Sequence, residues 1–227
     1  MASATTDIVL HEHQVWPAPP PFRVERNDRP AAEGRFDDVI AAGVLLEVSR
    51  IVSRILAVAR PDIGERTERI VGFSRELVHA LALDRAWEFE VAARLSQIGW
   101  LAMPDAIREA ALRGDLMSEE DCLLAASHPL LARDIIGAGG RLSGVVQMIE
   151  RQREPRCLPG EPVTDLSRDR IALGAQILRV SSDLETLLRS GLSRAEALAR
   201  MAALPCEYDA ALVAALAGAP DDRRQAA

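Results

Sequence analysis

From Phe36 to Ala59, apolar side chains return every three or four residues: Phe36, Ile40, Val44, Val48, Ile51 and Ile55, widened by Leu45, Val52 and Leu56. That is the period of an α-helix, and it predicts one long amphipathic helix over residues 36–60. Arg60-Pro61 closes it, because the residue before proline resists helical φ/ψ. The stripe is broad enough to face a core and a partner at once, and the pattern leaves core packing open beside a dimerisation or linker role. The same period continues in helices near 65–82, 84–98, 104–113, 118–127, 129–138, 141–154, 165–190, 193–204 and 208–218. Ser118-Glu-Glu-Asp121 and Ser193-Arg-Ala-Glu196 carry the capping pattern of a helix start, while Gly114, Gly137 and Gly191 stand where helices should stop. No alternating run of β-branched residues intervenes. The expected fold is therefore all-α, with a helical domain over 61–220 behind the amphipathic helix. Gly137-Ala-Gly-Gly140 follows no strand, so it reads as a helix–helix turn and not as a phosphate loop.

Both ends of the chain fall outside this period. Residues 1–35 contain Trp16-Pro-Ala-Pro-Pro-Pro-Phe22, which favours extended polyproline geometry, and then the charged run RVERNDRPAAEG. A disordered Pro-rich tail is expected there, and a disordered C-terminus over 221–227. His11 and His13 form a lone pair without further ligands and predict no metal site.

Composition narrows the function classes. Of 227 residues, 48% are apolar, enough for one good core. All 27 basic side chains are Arg, and the net charge of −7 argues against a nonspecific nucleic-acid binder. Cys122, Cys157 and Cys206 are odd in number and widely spaced, which suits free thiols in a reducing cytoplasm. The longest apolar run, Val39 to Leu46, falls far short of the ~20 residues of a membrane span, and the N-terminus lacks a secretory layout. A cytoplasmic protein is expected.

The chemistry-bearing stretch is EVAARLSQIGWLAMPDA, residues 90–106: a helix that stops at Gly99 and turns through Pro104 into another. Its rhythm resembles the signature of HD-type phosphohydrolases, especially the HD-GYP branch, in which an apolar helix ends in His-Asp, followed by Ile-Gly-Lys and Pro-Asp. Ile98, Gly99, Pro104 and Asp105 are kept; Ser96 and Gln97 stand at the His-Asp pair and Trp100 at the Lys. The resemblance covers about residues 60 to 218 and implies an HD-domain-like bundle that gathers His and Asp around divalent metal ions. It places the family's first His on Arg66 of RTERIVGFSREL and retains the His of Thr-His-Pro in Ser127-His128-Pro129. The His-His-Glu run falls on Gln152-Arg153-Glu154, and the last Asp on Ser182 of VSSDLETL. Of the GYP loop only Pro159-Gly160 is present.

Periodicity turns these positions inward. Arg66 extends Ile70, Phe73 and Leu77; His128 extends Leu124, Leu131 and Ile135; Arg153 extends Leu142, Val146 and Ile149; Ser182 extends Ile171, Ala175 and Leu178. Arg has no free lone pair and cannot ligate a metal, so neither catalytic nor metal-binding residues, nor any cofactor, are expected. Three roles for the arginines stay open. They plug the cavity by pairing with an acid such as Glu154 or Asp183; they clamp a phosphate, with Arg66, Arg153 and His128 as an anion site for a cyclic dinucleotide; or they lie at the surface. The resemblance implies a degenerate relative of cyclic di-GMP phosphodiesterases, acting as a signalling module in bacterial two-component systems without a receiver domain of its own. The rival is a divergent phosphohydrolase that drafts Asp105, Glu119, Glu120, Asp121 and Asp134 near His128. A protein partner or homodimer is expected through Phe36–Ala59, with no nucleic acid and no membrane.

Overall fold

Ten α-helices account for most of the described chain, and no strand occurs among the described residues. The computed structural model describes residues 35–137, 140–157 and 166–218. The Pro-rich tail with His11 and His13, residues 138–139 of the glycine turn, Pro159-Gly160 and the C-terminus from 219 lie outside them, as does the side chain of Phe36. The helices are α1 (Arg35–Ala59), α2 (Pro61–Ala80), α3 (Ala86–Leu95), α4 (Asp105–Arg113), α5 (Glu119–Ala126), α6 (His128–Ile136), α7 (Ser143–Glu150), α8 (Arg170–Arg189), α9 (Arg194–Ala202) and α10 (Ala210–Gly218). Short 3-10 turns at Ile98–Ala102, Gly140–Leu142 and Arg151–Arg153 tighten the connections. The expected all-α class holds.

The caps act as the sequence implies. Ser118 accepts from the Asp121 amide, and Ser193 with Glu196 closes a full capping box. Gly114, Gly137 and Gly191 adopt φ of +76°, +85° and +95°, the left-handed region that lets the chain leave a helix cheaply. Gly99 serves closeness instead: a Cβ there would run into the His128 carbonyl oxygen and sit 2.8 Å from the Ala132 amide nitrogen. Its missing side chain lets the 98–102 turn lie flat on α6.

Two apolar clusters form the interior. The larger joins Ile70, Leu77, Phe89, Ile149, Ile177, Leu184 and Leu212 across α2, α3, α7, α8 and α10. The smaller gathers Leu56, Ile63, Trp100, Met103, Leu112 and Ala125. Along α2, Ile63 belongs to the smaller and Ile70 to the larger, with Arg66 between them.

Helix α1 lies against α2 and α3 with an unexpected face. Ser49, Ser53 and Leu56 turn inward, at 1–3% exposed, and Leu46 and Val52 pack against the core. The stripe that periodicity selects points the other way: Ile40, Val44, Val48, Ile51, Ile55 and Val58 are 50–86% exposed. The stripe therefore divides: Val52 and Leu56 on its widened edge meet the core, and its central row faces outward.

The cysteine expectation needs correction. Cys157 and Cys206 are joined as a disulfide with Cα atoms 5.0 Å apart, and Cys122 alone is a free thiol. The amide of Arg156 donates to the Cys206 carbonyl at 2.8 Å, so backbone pairing brings the two segments together. The inference to a reducing compartment loses its support in three free thiols. No helix among the described residues is long and apolar enough to cross a membrane.

Candidate functional site

Most of the positions that the resemblance singles out converge on one buried polar centre. Arg66 (α2), Ser96 and Gln97 (after α3), His128 (first residue of α6), Gln152 (the 151–153 turn) and Ser182 (α8) are each at most 7% exposed. Arg153 is not among them. It is an exposed residue, and Gln152 points inward in its place. The cause is local. Helix α7 ends at Glu150 and the next three residues form a 3-10 turn, so the residue three beyond Ile149 inherits its direction, where an α-helical stripe would also admit the fourth. His128 also comes inward by a different route from the stripe expected. Leu124 and Ile135 are 39% and 46% exposed, and the inner face comprises Ala125, His128 and Ala132.

Arg66 fills the middle of the centre. Its guanidinium pairs with Glu185, donates from Nε to Gln97 Oε1 at 3.1 Å, and from Nη2 to the Ser182 carbonyl at 3.3 Å and Thr186 Oγ1 at 3.1 Å. The Glu185 side chain is 1% exposed, and Arg69 takes its other oxygen, donating from Nε at 3.0 Å. Burial pulls the Arg66 guanidinium below its ordinary range, and the Glu185 carboxylate opposes that pull. The acid that answers Arg66 is therefore Glu185, and not Glu154 or Asp183. Asp183 pairs instead with Arg153 at 3.3 Å and accepts from the Tyr208 hydroxyl at 3.0 Å. Glu154 pairs with Arg151 at 2.7 Å. Glu185 was missed although a signal for it existed: it stands three residues after Ser182 and thus on the same face of α8.

His128 occupies the other side of the centre. Its ring stacks on Trp100 with centroids 4.4 Å apart and planes 15° from parallel. The indole N–H of Trp100 donates to Gln97 Oε1 at 3.1 Å, the same oxygen that receives Arg66. The Nδ1 of His128 lies 3.1 Å from the Ala125 carbonyl, placing the proton of the neutral ring on that nitrogen. Burial drives the imidazole down to about 3, reinforced by the charges of Arg153 and Arg66. The ring is neutral at pH 7.

This donor set does not fit a divalent metal. A metal of the HD type needs neutral imidazole nitrogens and free carboxylate oxygens around one point. Here Gln97 Oε1 already accepts twice, Ser96 Oγ donates to the Ala93 carbonyl at 2.9 Å, and Gln152 Nε2 donates to the Ile149 carbonyl at 2.9 Å. Both Glu185 oxygens hold guanidiniums, and the Ser182 hydroxyl is buried without a hydrogen-bond partner. Among the described residues no three His, Cys, Asp or Glu side chains come together as a metal cluster. Nor do the acids of the rival reading. Asp105 pairs with Arg60 and Arg108, Asp134 with Arg133, and Glu119, Glu120 and Asp121 form the first turn of α5. The side chains of Arg60 and Arg108 hold the Asp105 carboxyl below the usual carboxylate range.

No curated protein matches the chain. The family model described as HD domain matches residues 50–212, which spans α1 from its midpoint through α2 to the start of α10 and every residue of the polar centre. The protein therefore belongs to the HD domain family, a superfamily of metal-dependent phosphohydrolase type.

Proposed function

We propose that this HD domain is a non-catalytic signalling and interaction module, a degenerate relative of the HD-GYP cyclic di-GMP phosphodiesterases in bacterial signal transduction. One observation carries the reading: Arg66, at the position the resemblance gives to the family's first His, is paired with buried Glu185, whose second carboxylate oxygen is held by Arg69. A guanidinium supplies charge but no lone pair, so it cannot bind a metal or activate water as a metal does. The four Arg66 partners inside the protein also weigh against its use as a phosphate clamp, since a ligand would have to displace Glu185, whose side chain is 1% exposed.

Purified protein supplied with Mn or Fe is expected to hydrolyse neither cyclic di-GMP nor a generic phosphodiester above background. Elemental analysis is expected to find substoichiometric metal. Turnover that disappears in His128→Ala, or one metal ion per chain retained through dialysis against buffer, overturns the reading.

A further inference from the structure

The outward face of α1 carries a row of exposed apolar side chains. Val44, Val48, Ile51, Ile55 and Val58 follow one another at intervals of four, three, four and three residues, each at least half exposed. Those are the d and a positions of a heptad repeat, and every one carries a β-branched side chain. With Ile40 the strip runs over 19 residues, about 27 Å from first to last at the rise of an α-helix. The opposite face of the helix is already committed to the domain through Ser49, Ser53 and Leu56. The seam is thus presented on a helix that is folded before any partner arrives.

We propose that the strip is the seam of a homodimer in which α1 of a second copy packs antiparallel. The flanking residues select this occupant and its direction. One edge of the strip carries Glu47 and Arg54, both exposed, and the other carries Leu45 and Val52, both half-buried, Val52 also touching the core. An antiparallel pair with its two-fold axis between Val48 and Ile51 sets Val48 against the partner's Ile51 and Val44 against the partner's Ile55. Its like edges then meet, so Glu47 faces the partner's Arg54 twice and Leu45 faces the partner's Val52 twice. A parallel pair sets Glu47 against the partner's Val52 and Arg54 against the partner's Ala59, so neither charge meets an opposite charge across the seam, and Glu47 keeps only Arg50 of its own helix at 2.6 Å. The strip is self-complementary in only one direction. Five seam positions are few for a free coiled coil, which needs about three or four heptads. Here the cost of ordering the helix is borne by its packing on α2 and α3, so association begins from a rigid surface.

The test uses the full chain in sedimentation and light scattering. At about 100 μM the wild type is expected at twice its 24.7 kDa mass, moving toward monomer on dilution. Val48→Glu combined with Ile51→Glu is expected to weaken association at least about 100-fold while leaving the far-UV dichroism and thermal melt intact, because both residues face outward. Glu47→Arg alone and Arg54→Glu alone should each weaken it about tenfold, and the two together should restore it. A monomeric wild type overturns the proposal, as does a dimer indifferent to the paired Glu substitutions. Unfolding of that variant counts against an outward seam. A dimer without charge rescue overturns the antiparallel arrangement.

Discussion

The two halves of the polar centre share the oxygen of Gln97 and close it by opposite means. On the α2–α8 side, Arg66 remains charged and is met by a buried carboxylate, a backbone carbonyl and a hydroxyl. On the α6 side, His128 sheds its charge, keeps one backbone partner and lies flat on Trp100. A cavity that gives up metal ligands must still satisfy or remove each polar group it encloses. The first half satisfies them by pairing, and the second removes the charge by desolvation beside two arginines. The paired half therefore depends on one partner, whereas the neutral half depends on pH.

Removing the partner gives the largest expected effect. Glu185→Ala strands Arg66 in a site where its side chain is 8% exposed, and should lower stability by about 3–5 kcal/mol, read from urea unfolding. If the loss stays below about 1 kcal/mol, the two halves do not differ in the way described.

The neutral half is probed by acid. An unfolded His binds a proton below about pH 6.5, while folded His128 waits until about 3, so the unfolded state gains protons first as pH falls. This contribution is negligible well above pH 6.5 and grows against folding below it, reaching about 2 kcal/mol by pH 5. His128→Gln should flatten that slope between pH 6.5 and 5, and Glu185→Gln should leave it in place. An unchanged slope in His128→Gln would assign the acid sensitivity elsewhere.

The smallest effect sharpens the comparison most. Replacing both members of the paired half, Arg66→Met with Glu185→Leu, removes two desolvated charges along with their attraction. The double variant should lie within about 1 kcal/mol of wild type, far above either single variant. Should it be as unstable as Glu185→Ala, the hydrogen bonds to Gln97 and Thr186 would matter more than the charges.

Much of this arrangement was legible in the sequence, and its gaps have local causes. Ser182 lies inward as the helical period requires, Arg66 follows Ile70 and Leu77 into the interior, and Ser96 and Gln97, singled out by the resemblance alone, are buried beside them. Arg153 failed because three residues of tighter winding rotate Gln152 into its place, a change no apolar period records. Cys157 and Cys206 are 49 residues apart, so only the meeting of two loop segments brings them together. The α1 strip was read correctly as apolar and periodic. Its direction was hidden because the inward face is built partly from Ser49 and Ser53, small residues that permit close approach without registering as hydrophobic.

The Cys157–Cys206 bond makes a ring of the chain between those residues. Everything from α8 through α9 belongs to that ring, and α1 through α7 and α10 hang from its two ends. A single proteolytic cut anywhere between residues 157 and 206 therefore yields no free fragment. The nicked molecule keeps its full mass on a non-reducing gel and parts into two pieces only when a thiol reductant opens the ring.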